Sequence, residues 1–156
     1  MLQTPLLFLP LLLLLHPSFL TLTSQAKQSP LFNVVAFGAN PSGESDSTKA
    51  FISAWSHACR SPDAAAIHVP PGKFRVGHVR FRGQCSNNDI SFHIQGTILP
   101  PSDDDFRSIS DEYWLLFELA DGVTIHGGVL DARGGRLWDC KRSGGVCPNG
   151  ATVSFD

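Results

Sequence analysis

The densest carboxylate group in the chain is Asp103-Asp104-Asp105, and a pair of carboxyl groups is what acid–base hydrolysis of a glycosidic bond requires. In an extended segment Asp103 and Asp105 face one side at about 6.5–7 Å, near the lower limit for an inverting pair. The run follows Pro100-Pro101-Ser102 and has no apolar surroundings to shift a pKa, so it reads as a solvated loop. A second group is basic. Lys73 and Arg75 alternate with Phe74 and Val76, Gly77 breaks the phase, and His78, Arg80 and Arg82 then alternate with Val79 and Phe81. Period-two alternation sends the basic side chains to one face of each strand and the apolar ones inside. Lys73, Arg75, Arg80 and Arg82 are therefore candidate contacts for a regularly charged polyanion, and otherwise a solvated outer face. His68, His93 and His126 each lie in or beside a β-type run. Any of them could serve as a general acid or base near neutral pH, but no partner carboxylate stands at a recognisable spacing, which favours packing or hydrogen bonding.

Other constellations point away from chemistry. Asp131 and Arg133 suit a turn-stabilising ion pair. Gly72-Lys73 lacks the upstream glycine and following hydroxyl of a phosphate loop, and Gly43-Glu44-Ser45-Asp46-Ser47 ends in serine where a nucleophile elbow needs glycine. No cofactor motif is present, so none is expected. Cys59, Cys85, Cys140 and Cys147 allow three pairings. Turn-rich segments bracketed by sequence neighbours favour Cys59 with Cys85 and Cys140 with Cys147. Zinc is the alternative use of thiolates with histidine, but there is no C-x-x-C, no H-E-x-x-H and no closely spaced Cys/His pair.

The elements that position these residues begin after a change of composition. The 156-residue chain has 12 Lys+Arg against 14 Asp+Glu, and none of them falls in residues 1–26. Leu6 to Leu15 form an apolar h-region, and Ser24-Gln25-Ala26 is a small-x-small cleavage site, although the n-region holds no Lys or Arg. Residues 1–26 read as a secretory signal peptide. A membrane anchor competes, but Pro10, His16 and Pro17 interrupt a stretch that would need about 20 mainly apolar residues. Residues 27–156 have an ordinary globular charge balance, with no polybasic tail and no second long apolar stretch. Secretion makes an acidic polysaccharide a better polyanion than nucleic acid, and no stable membrane association is expected once the leader is cleaved.

Phe32 to Phe37 is a strand candidate closed by Gly38 and the turn Asn40-Pro41-Ser42-Gly43. A helix follows, capped by Ser45 or Asp46, with Phe51, Ala54, Trp55 and Ala58 on one face and an end at Ser61-Pro62. No further helical period is convincing. Short β-type runs replace it at 67–69, 74–76, 79–81, 90–94, 114–119, 123–125 and 151–155. Ile90 to Leu99 can be laid on Val123 to Leu130, matching β-branched or aromatic, hydroxyl, apolar, His, Gly and apolar positions. A strand-Gly-strand unit recurring at about 30 residues is the mark of a solenoid whose coils cannot bury their apolar faces alone. The helix would cover the first coil. No second capping segment is legible at the other end, so the chain reads as the front part of a longer, C-terminally truncated solenoid.

The order of these strings resembles the opening of plant-type polygalacturonases. Phe32-Asn33-Val34-Val35-Ala36-Phe37-Gly38-Ala39, then Asp46 to Phe51 with Trp55 and Cys59, then Val69-Pro70-Pro71-Gly72-Lys73-Phe74 carry it first. Gly96-Thr97-Ile98-Leu99, Trp114 to Phe117, Gly127 to Gly134, Leu137 to Lys141 and Cys147-Pro148 continue it through residues 31–156. The resemblance implies an all-β, right-handed parallel β-helix with one capping α-helix. It also implies a secreted cell-wall glycoside hydrolase that cleaves α-1,4 bonds between galacturonate units of pectin with inversion. The family places its chemistry in an Asn-Thr-Asp motif, an Asp-Asp pair beside glycine and cysteine, a Gly-His-Gly and an Arg-Ile-Lys, and none of these strings occurs here. No catalytic residue is transferred. The chain alone is expected to be inactive, and the alternative function is a secreted, catalytically empty pectin-binding module using Lys73, Arg75, Arg80 and Arg82.

Overall fold

A computed structural model describes residues 28–100, 113–147 and 152–155. Residues 1–26, expected to be a signal peptide, and Asp103-Asp104-Asp105 lie outside the described residues. Among the described residues eleven strands stack in three parallel sheets. The first sheet orders β1 (Leu31–Asn33), β3 (Ala65–Val69), β6 (Ile90–Ile94) and β9 (Val123–His126). The second holds β2 (Ser42–Asp46), β4 (Lys73–Arg75), β7 (Thr97–Leu99) and β10 (Val129–Leu130), and the third β5 (Val79–Arg82), β8 (Tyr113–Glu118) and β11 (Thr152–Phe155). The chain visits the sheets in turn and returns to each one rung further on, which is the winding of a parallel β-helix.

Register explains why these sequences wind so. Ile67, Phe92 and Ile125 stand opposite one another in the first sheet, Phe74, Ile98 and Leu130 in the second, and Phe81, Phe117 and Phe155 in the third. These inward rows are apolar from rung to rung, so a coil covers the inner face of its neighbour. The repeat read from the sequence is real, since Ile90 pairs with Val123 and His93 with His126. Glycine permits the close stacking between coils. At Gly122, with φ +67°, a Cβ would lie 1.6 Å from the Asn88 carbonyl oxygen.

The helix α1 (Thr48–Arg60) buries Ala50, Phe51, Ala54, Trp55 and Ala58 over the first coils. Trp55 packs against Phe81, Phe92 and Phe117 at 5.4–6.2 Å between ring centroids, and its indole N–H donates to the Arg82 carbonyl at 2.9 Å. The helix starts slightly later than expected, with Ser47 at the cap position, while the Asp46 carboxylate accepts the Thr48 N–H at 2.8 Å. His57 and Arg60 lie in its last turn, where cations suit the helix dipole.

Three elements differ from the sequence reading. The first strand stops at Asn33, and Val34–Phe37 form a 3-10 turn. The Asn33 side chain accepts the Val35 N–H at 3.0 Å, and Gly38 closes the turn in the left-handed region at φ 97°. The polar Ser42–Asp46 segment is a strand because β4 supplies its hydrogen-bond partners, not because its own pattern demands one. A second helix, α2 (Gly135–Ser143), occupies a segment with no convincing helical period. Its Trp138 is 61% exposed. The Cys140–Cys147 disulfide and Gly144, left-handed at φ 71°, close its C-terminal end.

Candidate functional site

Both disulfides join the cysteines that the sequence neighbourhood favours, Cys59–Cys85 and Cys140–Cys147. All four sulfurs are thereby engaged. Cys59–Cys85 ties α1 to the loop after β5 and closes a chain interval of 26 residues.

The basic series is divided by the Gly77 break. Lys73 and Arg75 belong to the second sheet, Arg80 and Arg82 to the third. Lys73 is exposed and Arg75 half-buried, with its Nε buried and without a hydrogen-bond partner among the described residues. Along β5 the alternation holds: Val79 and Phe81 are buried, Arg80 and Arg82 exposed. Register places Glu118 opposite Arg82. Arg82 Nε donates to Glu118 Oε2 at 2.8 Å, Arg80 Nε lies 3.9 Å from the same oxygen, and Arg80 also donates to the Tyr113 hydroxyl at 2.6 Å. The hydrogen bond from Arg82 is the main cause that holds the Glu118 carboxyl below its ordinary pKa; partial desolvation opposes it, and the charges of Arg82 and Arg80 reinforce it. Two guanidiniums and one carboxylate thus meet on the outer face of the third sheet. This cluster is a place where an anion could be held, not a reacting centre.

The histidines form a different array. Asn33, His68, His93 and His126 occupy consecutive rungs of the outer face of the first sheet. The His93 and His126 rings are stacked, 5.3 Å between centroids and 18° between planes. His68 Nε2 lies 3.2 Å from Gln95 Oε1, and His93 Nε2 lies 3.1 Å from the Ser91 hydroxyl. His78 is half-buried between β4 and β5. The bond at the Asp131 turn runs from the Arg133 backbone N–H to Asp131 Oδ1, at 3.0 Å. The turn is thus held by a side chain accepting a backbone donor, a correction to the side-chain ion pair expected there.

Sequence reasoning missed Glu118, Tyr113 and Gln95. The signal for Glu118 was present: one coil after Arg82, the next strand of the same sheet has to offer a residue opposite it. Among the described residues no three His, Cys, Asp or Glu side chains gather where they could hold a metal ion. Nor is any described helix long and apolar enough to cross a membrane.

Three parallel sheets stacked rung on rung around apolar inner ladders define a parallel β-helix. The particular family follows from sequence relationship. The chain is 47% identical over 138 residues to a polygalacturonase of Prunus persica, a match covering 86% of this chain and 35% of the relative. It is 35% identical over 136 residues to a polygalacturonase of Chamaecyparis obtusa, covering 85% of this chain and 25% of that one. An exopolygalacturonase of Platanus acerifolia is 33% identical over 109 residues, 69% of this chain and 28% of the relative. No family model matches the chain. The protein belongs to the plant polygalacturonase family, and the chain spans about a third of the length of the curated relatives it matches.

Proposed function

We propose that the protein acts as a secreted polygalacturonase of the plant cell wall, with the whole enzyme hydrolysing α-1,4-galacturonosyl bonds in pectin. Residues 1–26 direct its secretion, and residues 27–156 build coils that support the catalytic ones. The observation that carries this reading is the 47% identity to the Prunus persica polygalacturonase over 86% of the chain. The disulfides fit an oxidising compartment. Hydrolysis with inversion needs a carboxylic acid at the leaving oxygen and a carboxylate that activates water, and the family strings that supply them are absent from the chain.

The test uses two proteins and polygalacturonate as substrate. The purified chain should release no reducing ends. A chimaera of the Prunus persica relative in which residues 27–156 replace the matching segment should be active, because these coils would then present the relative's own catalytic residues correctly. Turnover by the chain alone would show that it contains the catalysts, and a folded but inactive chimaera would overturn the supporting role.

A further inference from the structure

From the geometry of the first sheet we propose that its outer face is a second, proton-gated binding surface for a polyuronate chain, formed by His68, His93 and His126. The ligand class rests on the pectin reading above; the surface itself rests on register. Parallel pairing places the three imidazoles on successive rungs, about 4.8 Å apart in the direction across the strands. His93 and His126 are exposed and His68 half-buried. Their side chains are thus displayed in a straight row, on strands held rigid by the core behind them.

Charge distinguishes this face from the basic one. On the third sheet both arginines already lie against the Glu118 carboxylate. The strands β1, β3, β6 and β9 contain no Lys, Arg, Asp or Glu. Their outward positions beside the histidines are Leu31, Asn33, Ala66, Ser91 and Thr124, all uncharged. Gln95, which bonds His68, is also neutral. The nearest acidic residues along the chain are Asp131, which follows β10 and accepts the Arg133 backbone N–H, and Asp63, Asp89 and Asp121, each just before its strand begins. The histidines sit at the opposite ends of those strands. About four residues of strand separate Asp89 from His93, roughly 13 Å, which exceeds the screening length at physiological salt. From α1, which packs on β1 and β3, the titratable and charged groups nearest this sheet are His57 and Arg60. His57 contacts Phe32 and Phe37, and Arg60 bonds Ser56.

Imidazole as a side chain changes charge between about pH 5 and 8. When the stacked pair is neutral it attracts no anion. When both rings are protonated they repel one another at 5.3 Å, and a line of carboxylates laid across the rungs relieves that repulsion. Protonation and polyuronate binding are therefore coupled, and each favours the other. Neutral Ser91, Thr124 and Gln95 beside the row offer hydrogen bonds to sugar hydroxyls. Below about pH 4 the uronate carboxylates themselves protonate and the attraction fades again.

The experiment measures affinity of the purified chain, both disulfides intact, for immobilised de-esterified pectate at pH 5.0 and pH 7.5 in low salt with EDTA present. Wild type should bind about fivefold more tightly at pH 5.0, as expected for a few exposed ion pairs. The double variant His93→Asn with His126→Asn should lose most of that pH dependence while melting at the same temperature as wild type. Arg80→Gln with Arg82→Gln should lower affinity equally at both pH values, leaving the ratio intact. A pH ratio that survives in the histidine variant, or a wild type whose binding is independent of pH, overturns the ladder while leaving the polygalacturonase reading standing. Absence of binding at both pH values together with an inactive chimaera would overturn both.

Discussion

Glu118 shows how a single residue can depend on a contact that local sequence does not display. Its partner Arg82 lies 36 positions earlier, and the two meet only because β5 and β8 are adjacent rungs. The arginine holds the carboxyl below its ordinary pKa, so the folded state binds a proton at Glu118 less readily than the unfolded chain does. This contribution to stability is complete above the ordinary glutamate range and is lost as pH falls through the folded-state value. Arg82→Gln should therefore melt lower than wild type at pH 7, with the gap narrowing as pH falls below the ordinary glutamate range. Thermal melts over a falling pH series check it, and a gap that never narrows would show that Arg82 acts through packing instead. The alternation of Arg80 and Arg82 with Val79 and Phe81 was legible because period two needs only local sequence. Glu118 was not, because its role depends on the length of the coil between the two strands.

At the level of elements, the same distinction separates α1 from α2. The apolar face of α1, Phe51, Ala54, Trp55 and Ala58, is buried as its spacing requires. The helix α2 instead exposes Trp138 and is closed at its C-terminal end by a disulfide and a glycine cap. Likewise Val34–Phe37 have a strand composition, but the Asn33 side chain and Gly38 turn them into a 3-10 turn that seats Val34 under the core. Strand composition predicts burial there and not backbone shape. Trp55 is the residue on which the α1 cap depends most, since one side chain touches inward phenylalanines from three strands and satisfies its own N–H. Trp55→Ala should cost about 3–5 kcal/mol, read as a lowered urea midpoint. Trp55→Phe keeps most of the ring contact but leaves the Arg82 carbonyl without its donor, and should fall between the two. Equal loss in both variants would mean that the hydrogen bond, not the ring, holds the cap.

Across the whole molecule the apolar ladders set both order and reactivity toward other chains. Each inward row gains a partner with every coil, so residues in the middle rungs such as Phe92 and Ile98 are buried at 3% and 4%. On the last described rung the same rows surface: Leu130 is 36% exposed and Phe155 57%, with Val129 beside them at 53%. Phe155 nevertheless stacks on Phe117 at 4.9 Å and 8°, so its exposed face continues an interior row. The strands β9, β10 and β11 are each the outermost of their sheets among the described residues, and an open strand edge over an apolar surface is a template for pairing. The purified chain should therefore self-associate with rising concentration, and Leu130→Lys with Phe155→Lys should shift it toward monomer, because burying two unpaired ammonium groups in the contact is costly. Sedimentation at two or more concentrations distinguishes the outcomes. A wild type that stays monomeric throughout would show that this rung needs no partner, while association that survives both lysines would place the contact elsewhere on the solenoid.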